Sequence, residues 1–448
     1  MFMWNLEEIE ASPLEEINIK QIDDGGATVV CWAARCGHLP IVRFFLEKGG
    51  DIMNQPDDEG RSPLHWAIQM GHIEIAIDLI DKGANLNCDN YAGLKPLHLA
   101  VLYGYPQIVK KLLDKGVEVN PSDKEGKSPL HWAIHYAYTE IVIILIARGA
   151  DVNQKDKQDR TPLQCIPCRT LQKASTLSML VLINSGANID HLDNEGRSPL
   201  HYAAYQGRTE MLKILIKAKV KVNSVDEHNN TPLHAAVSFG NIENVRLLID
   251  ANSEIDVPND KMMTPLHLAA RLGRIEIIKA LIKAKANIEA VDACGDTPLF
   301  NAVFYGHINA VKLLIFCGAN IHHINHFKET ILDTAYSWPQ KEMHQLLIHY
   351  FRLQALQALR PLWNGRVEHK HVRYYLQWLP QEMLEDVMLQ FESSVNPKEE
   401  KTPVTNRTYS LVSYAPFPAP FFSYLLSAKA CPEENNRDTA MLKTSKTR

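Results

Sequence analysis

A short signature returns along this chain at a fixed interval, and that interval limits the fold more than any other feature. Ser62, Ser128, Ser198, Thr231 and Thr264 each stand directly before Pro-Leu-His. The same slot is held by Lys95, Thr161, Thr297 and Thr330, with complete or partial versions of the signature behind them, and by Thr28, where Val29-Val30-Cys31 replaces it. Successive slots lie 33 residues apart, except for a step of 34 after Thr28 and one of 37 after Thr161. A unit of this length is one supersecondary element that cannot bury its apolar side alone. It must stack on copies of itself, so the fold is quasi-one-dimensional.

Each recurring letter has a physical task. The Thr or Ser hydroxyl caps the helix that follows it. Pro at the first helical position wastes no N–H and arrives with its φ preset. Leu and the small residues behind it, such as Ala203-Ala204 and Ala269-Ala270, face the packed side. The glycine that closes the first helix, as at Gly71, Gly104, Gly207, Gly240 and Gly273, accepts a left-handed cap. A second helix then carries an apolar stripe at helical spacing, read in one copy as Ile275, Ile278, Leu281 and Ile282. Gly-Ala followed by Asn or Asp, as in Gly83-Ala84-Asn85 and Gly149-Ala150-Asp151, ends that helix and opens the return loop. Trp66 and Trp132, one residue after the signature His, are expected to pack between repeats.

The period taken with Thr-Pro-Leu-His and Gly-Ala-Asx resembles the ankyrin repeat. The resemblance implies an all-α ankyrin-repeat solenoid, with β-hairpin loops joining helix pairs. About ten repeats would fill residues 23–350, behind an N-terminal half-repeat cap at 1–22. A helical extension at 351–395 and a disordered tail at 396–448 would follow. In that family the fingers and the ends of the first helices form a concave face that binds proteins. Carried over by position, the partner-binding residues here are Tyr103, His135, Tyr136, Tyr205, Phe239, Phe304 and Tyr305. Aromatic side chains in a row suit such a face, because they bury much area at little entropic cost. Mixed charge on the fingers, as in Asp58, Glu59 and Arg61, suits selectivity. The function implied is a non-enzymatic protein–protein interaction scaffold.

The pattern fails in a few places. Lys95 occupies a capping slot, and Ala137 stands where glycine is usual. Repeat five, residues 156–188, reads Thr161-Pro162-Leu163-Gln164-Cys165-Ile166-Pro167-Cys168 and holds four extra residues before Leu180. Pro167 is expected to shorten or break its first helix. Beyond the array, Leu379-Pro380-Gln381-Glu382-Met383-Leu384 resembles the start of an F-box, and the SOCS-box family also joins ankyrin arrays to a Leu-Pro helix. That resemblance implies an alternative function, a substrate adaptor recruiting ubiquitin-ligase components through residues 372–391, with Leu379, Pro380, Glu382, Met383 and Leu384 as the contacts. In the tail, Phe417, Phe421, Phe422, Tyr424, Leu425 and Leu426 form a candidate linear motif.

Composition narrows the function classes. Formal net charge is −5 over 448 residues, so no strongly basic face for nucleic acid is forced. No apolar run is long enough for membrane insertion. Met1–Ile9 lacks the basic region of a secretory leader, and eight scattered cysteines make no disulfide framework. An intracellular, cytoplasmic location is expected, or the host cytoplasm if the chain is a bacterial effector. Two clusters have chemical spacing. Cys165-x-x-Cys168 could serve redox chemistry or a cysteine-dependent enzyme, but no second pair accompanies it. His322, His323 and His326 have metal-like spacing in a loop without a cysteine partner. The signature histidines read as structural hydrogen-bonding groups rather than bases. With no phosphate-cradling loop and no nucleophile elbow, no enzyme, cofactor or metal is expected.

Overall fold

The computed structural model describes residues 22–48, 51–166, 172–336 and 341–363. They form a succession of helix pairs. Repeat one pairs Val29–Cys36 with Leu39–Lys48. Repeats two to four pair Pro63–Gln69 with Ile73–Asp81, Pro96–Leu102 with Pro106–Asp114, and Pro129–His135 with Thr139–Ala147. Repeats six and seven pair Pro199–Tyr205 with Thr209–Lys217 and Pro232–Phe239 with Ile242–Asp250. Repeats eight and nine pair Pro265–Arg271 with Ile275–Lys283 and Pro298–Phe304 with Ile308–Phe316. First helices pack on first helices and second helices on second helices, giving two layers. The signature leucines Leu64, Leu130, Leu200, Leu233 and Leu266 lie at 0–1% exposure between them. Truncating one such leucine to alanine costs about 2–5 kcal/mol.

The signature histidine ties each repeat to the next. At the start of repeat two, Ser62 Oγ accepts from the His65 amide at 3.4 Å, and His65 Nδ1 accepts from the Ser62 amide at 3.1 Å. This is a reciprocal cap built with imidazole in place of the more usual carboxylate or amide. Because Nδ1 accepts, the ring proton sits on Nε2, which donates to Leu94 O of repeat three at 3.1 Å. The link recurs from His131 to Arg160 O, His201 to Asn230 O, His234 to Met263 O and His267 to Asp296 O, at 3.0–3.1 Å. Lys95 keeps half the device. Its amide donates to His98 Nδ1 at 3.1 Å, but its ammonium has no lone pair to return and reaches Glu118 instead.

Repeat five is the exception in the helices. Its first helix is a single 3-10 turn, Pro162–Cys165, ending in extended backbone at Ile166. Its second helix, Gln172–Asn184, runs 13 residues against nine in repeat four. The shortening follows the expectation set by Pro167, which itself lies outside the described residues. Gln164 stands where histidine would be. Its Oε1 accepts from the Thr161 amide at 2.9 Å and its Nε2 donates to Arg197 O at 2.7 Å. An amide oxygen and an amide N–H thus reproduce the two poles of the imidazole.

The fingers between repeats are tight turns. Asp57 Oδ1 accepts from the amides of Glu59 and Arg61 at 3.0 and 2.8 Å, and Asp123, Asp156, Asp193, Asp226 and Asp292 repeat the arrangement. Among the described residues the only bridges of β type are Ile22–Thr28 and Ile324–Thr330, so the fingers are turns rather than paired ladders. Adjacent fingers are joined by one backbone bond each. Asp58 N donates to Gly25 O and Tyr91 N to Glu59 O, and the series continues without a gap to His326 N and Cys294 O, at 2.8–3.1 Å. It passes through repeat five by way of Lys157 N to Glu125 O and Asn194 N to Gln158 O, both 3.0 Å.

Three expectations change. In repeat eight the buried residues of the second helix are Ile277, Ile278 and Leu281, while Ile275 and Ile282 are half-buried. The stripe is set by the neighbouring second helices on both sides, not by the end residues. Trp66 and Trp132 are anchored in their own repeats, since each indole N–H donates to its finger carboxylate, Asp57 or Asp123, at 3.0 Å. Trp66 also meets the preceding repeat, through Arg35 at 4.6 Å from its ring. Finally, the last helix runs unbroken from Lys341 to Trp363, through Tyr350. The cap at 1–22 (save Ile22), most of the extension and the whole tail lie outside the described residues.

Candidate partner-binding face

The ends of the first helices leave one or two large side chains open in most repeats. Tyr103 is 38% exposed, Tyr136 37%, Tyr205 53%, Phe239 50%, Phe304 44% and Tyr305 43%. They share a position because each sits in the last turn of a seven- or eight-residue first helix, or just past it, where the chain turns away from the core. His135 stands in the same turn, also exposed, and its ring meets the backbone carbonyl of Cys165. Met70 and Leu272 occupy equivalent places and are 49% and 39% exposed. Met70 was not read from the sequence, although its position after Gln69 matches Tyr103 after Leu102.

The face is not uniform. In repeats three and four the rings engage one another. Tyr103 stacks on Tyr105 at 6.4 Å, Tyr136 stacks on both Trp132 and Tyr138, and His135 meets Tyr136 edge-on at 5.0 Å. Tyr105 and Tyr138 were missed by sequence reasoning. The signal was present, because each follows the residue that closes a first helix. From repeat six onward Tyr205 is 53% and Phe239 50% exposed, and in repeat nine Phe304 meets Tyr305 edge-on at 5.1 Å.

Beside the aromatics runs a row of cations on rings. Arg61 lies 4.0 Å from the Trp66 centroid, Lys127 4.7 Å from Trp132 and Arg197 5.1 Å from Tyr202. Arg61 and Arg197 also pair with Asp57 and Asp193 at 2.9 and 3.2 Å, while Tyr202 donates to Asp193 at 2.7 Å. These contacts hold the finger bases against the first helices and fix the charged tips beside the aromatic row.

The residues with chemical spacing are engaged in structure. Burial pushes the Cys165 thiol up to about 11, the opposite of an activated nucleophile. Cys168 lies outside the described residues. His322 bonds Gln354 at 3.0 Å and His323 bonds Gly295 O at 2.8 Å, so these two rings are used in packing the last repeats. Asp292, Cys294 and Asp296 bring their ligand atoms within 4.8 Å of one another, but Asp292 spends one oxygen on its finger turn and the other on Asn301. The signature histidines are held neutral. Burial lowers His65, His98, His131, His201 and His267 below the ordinary imidazole value and takes His234 down to about 4. Neutral rings with both nitrogens committed link repeats and have none to spare for general-base work. No helix among the described residues is long and apolar enough to cross a membrane.

Leu379, Pro380, Glu382, Met383 and Leu384 lie outside the described residues. No curated protein matches the chain significantly. A family model described as ankyrin repeats (3 copies) matches residues 9–90, 79–156, 170–259, 249–325 and 266–354, which together span most of the chain. The matches meet the same period, caps and finger turns that the structure displays, and the chain belongs to the ankyrin-repeat family.

Proposed function

We propose that the protein is a non-enzymatic scaffold that holds a partner protein on the face formed by its first-helix ends. Ankyrin repeats are protein–protein interaction modules. The observation that carries the finer reading is the recurrence of a large exposed side chain at one position, repeat after repeat, on an otherwise well-packed layer. Tyr205, Phe239, Phe304 and Tyr305 are the anchors and the finger charges set selectivity. Tyr103, His135 and Tyr136 extend the contact, with His135 and Tyr136 bracing one another and Tyr103 stacked on Tyr105. The location is intracellular, in keeping with cysteines 31, 36, 88, 165, 294 and 317, which form no disulfide among the described residues.

The test replaces Tyr205 or Phe239 by a photo-crosslinking phenylalanine in the full chain, with Lys279 on the second-helix layer as the control position. Crosslinks to other proteins should form at the first two positions and be absent at the third. Equal yields at all three would sink the reading. The adaptor alternative rests on Leu379, Pro380, Glu382, Met383 and Leu384. It requires that a chain ending after Trp363 lose ubiquitin-ligase components that the full chain retains; identical partner sets remove it.

A further inference from the structure

The second-helix layer carries a second surface, distinct from the aromatic face. Its fifth helical position is charged in most repeats, as at Arg43, Lys110, Lys213, Arg246, Lys279 and Lys312. In repeat four it is Ile143, 50% exposed, and in repeat five the equivalent residue, once the four extra residues are allowed for, is Leu180, 37% exposed; repeat two has Ile77 there, but half-buried. The second position is glutamate in Glu74, Glu140, Glu210, Glu243 and Glu276, yet the residue of repeat five that matches it after the same four-residue offset is Leu177, 54% exposed. From Ile141 to Ala147 the helix of repeat four has seven apolar residues in succession. A helix that is apolar all round belongs in an interior, and this one turns part of its surface to solvent.

Elsewhere this layer is laced by ion pairs between neighbouring helices. Arg43 reaches Glu74 at 2.9 Å, Lys111 reaches Asp81 at 2.8 Å, Arg148 reaches Asp114 at 2.9 Å and Lys213 reaches Glu243 at 3.1 Å. Between Thr139–Ala147 and Gln172–Asn184 no ion pair exists among the described residues. Polar ties there run from the Thr139 hydroxyl to Ala174 O and Ser178 Oγ, at 3.1 and 3.0 Å. Two adjacent helices therefore present facing apolar stripes with a groove between them. Exposed Lys110 stands on one flank and exposed Lys217 on the other. The nearby acids Asp81, Asp114 and Glu210 are already taken by Lys111, Arg148 and Lys213. Among the described residues neither flanking lysine has an ion-pair partner, and Glu140 stands at the N-terminal end of the groove.

We propose that this groove docks an amphipathic α-helix of a partner protein whose apolar stripe is bordered by Asp and Glu. A helical ridge fits between two packed helices at the usual spacing of about 8–10 Å. Acidic borders meet the two lysine flanks. A second copy of this chain would bring lysine against lysine and is disfavoured by the same charges.

The test uses the full chain against a displayed library of amphipathic helices with a fixed apolar stripe and borders randomised among Asp, Glu, Lys and Arg. Enriched helices should carry acidic borders, and a Lys-bordered version of the best binder should bind at least tenfold more weakly. Ile143→Lys with Leu180→Lys restores the charges of the neighbouring repeats, so the fold is retained. It should abolish this binding while Tyr205→Ala leaves it intact. Three outcomes overturn the proposal: borders without acidic bias, binding untouched by I143K/L180K, or a dimer of the chain that I143K/L180K disperses.

Discussion

Repeat five and repeat seven do the same work with different helices. Repeat seven is regular, with first helix Pro232–Phe239 and His234 bonded across to Met263 O at 3.1 Å. Repeat five has a four-residue turn for a first helix and Gln164 bonded across to Arg197 O at 2.7 Å. The finger bonds on either side are the same length to within a few tenths of an ångström. What keeps one repeat in register with the next is therefore the capping position and the finger, not the length of the first helix. The aromatic face can run past repeat five because its supports do.

The sharpest way to strain this comparison is pH. Burial lowers His234 from the ordinary 6.5 to about 4, so the folded state resists protonation that the unfolded chain accepts. Stability is full above about pH 6.5 and falls as pH drops towards 4. His234 alone should cost about 3 kcal/mol by pH 4, at roughly 1.4 kcal/mol per pH unit. The other signature histidines, lowered by the same cause, steepen the loss. Gln164 cannot titrate, so Gln164→His should steepen it further. Denaturant titrations at pH 7 and pH 4.5 check both; equal slopes in variant and parent would contradict the equivalence.

Truncation probes the same link more directly. His234→Ala leaves the Thr231 amide without a partner, removes one of the two bonds that Met263 O accepts (the Asn259 amide keeps the other) and empties a buried site, so it should cost about 2–3 kcal/mol. If the first helix held the register, Gln164→Ala would be nearly silent, because so little helix surrounds it. The account expects a loss of about 2–3 kcal/mol, close to that of His234→Ala. Urea midpoints of the two variants decide between these.

A smaller effect separates repeat four from repeats two and three. Ala137 holds φ 56 where Gly71 and Gly104 hold 78 and 73. A side chain in the left-handed region costs about 1–2 kcal/mol, so Ala137→Gly should stabilise the chain by roughly 0.5–1 kcal/mol once the glycine's greater freedom in the unfolded chain is set against it. Gly104→Ala should do the reverse, since its Cβ would come within 2.8 Å of Tyr138 Cζ. Thermal melts of the pair should move in opposite directions.

Much of this was legible in the letters. The caps at Ser62, Ser128 and Thr231, the left-handed glycines and the shortened helix of repeat five follow from local chemistry that the sequence carries outright. Gln164 escaped because the eye looks for histidine, whereas the site asks only for an acceptor and a donor at opposite ends of a side chain. Ile277 escaped because Ile275, Ile277, Ile278, Leu281 and Ile282 leave several apolar stripes open, and only the flanking helices choose among them. The apolar groove at Ile143, Leu177 and Leu180 becomes visible only when repeats are compared position by position and exposure is known.

Amide hydrogen exchange tests the unbroken array most directly. The finger amides of Lys157 and Asn194, which carry the chain into and out of repeat five, are compared with those of Glu227 and Asp260 in the regular repeats. The account predicts similar protection at all four. Fast exchange at Lys157 and Asn194, with Glu227 and Asp260 protected, would mean that the array is two separate stacks and that the aromatic face is not continuous.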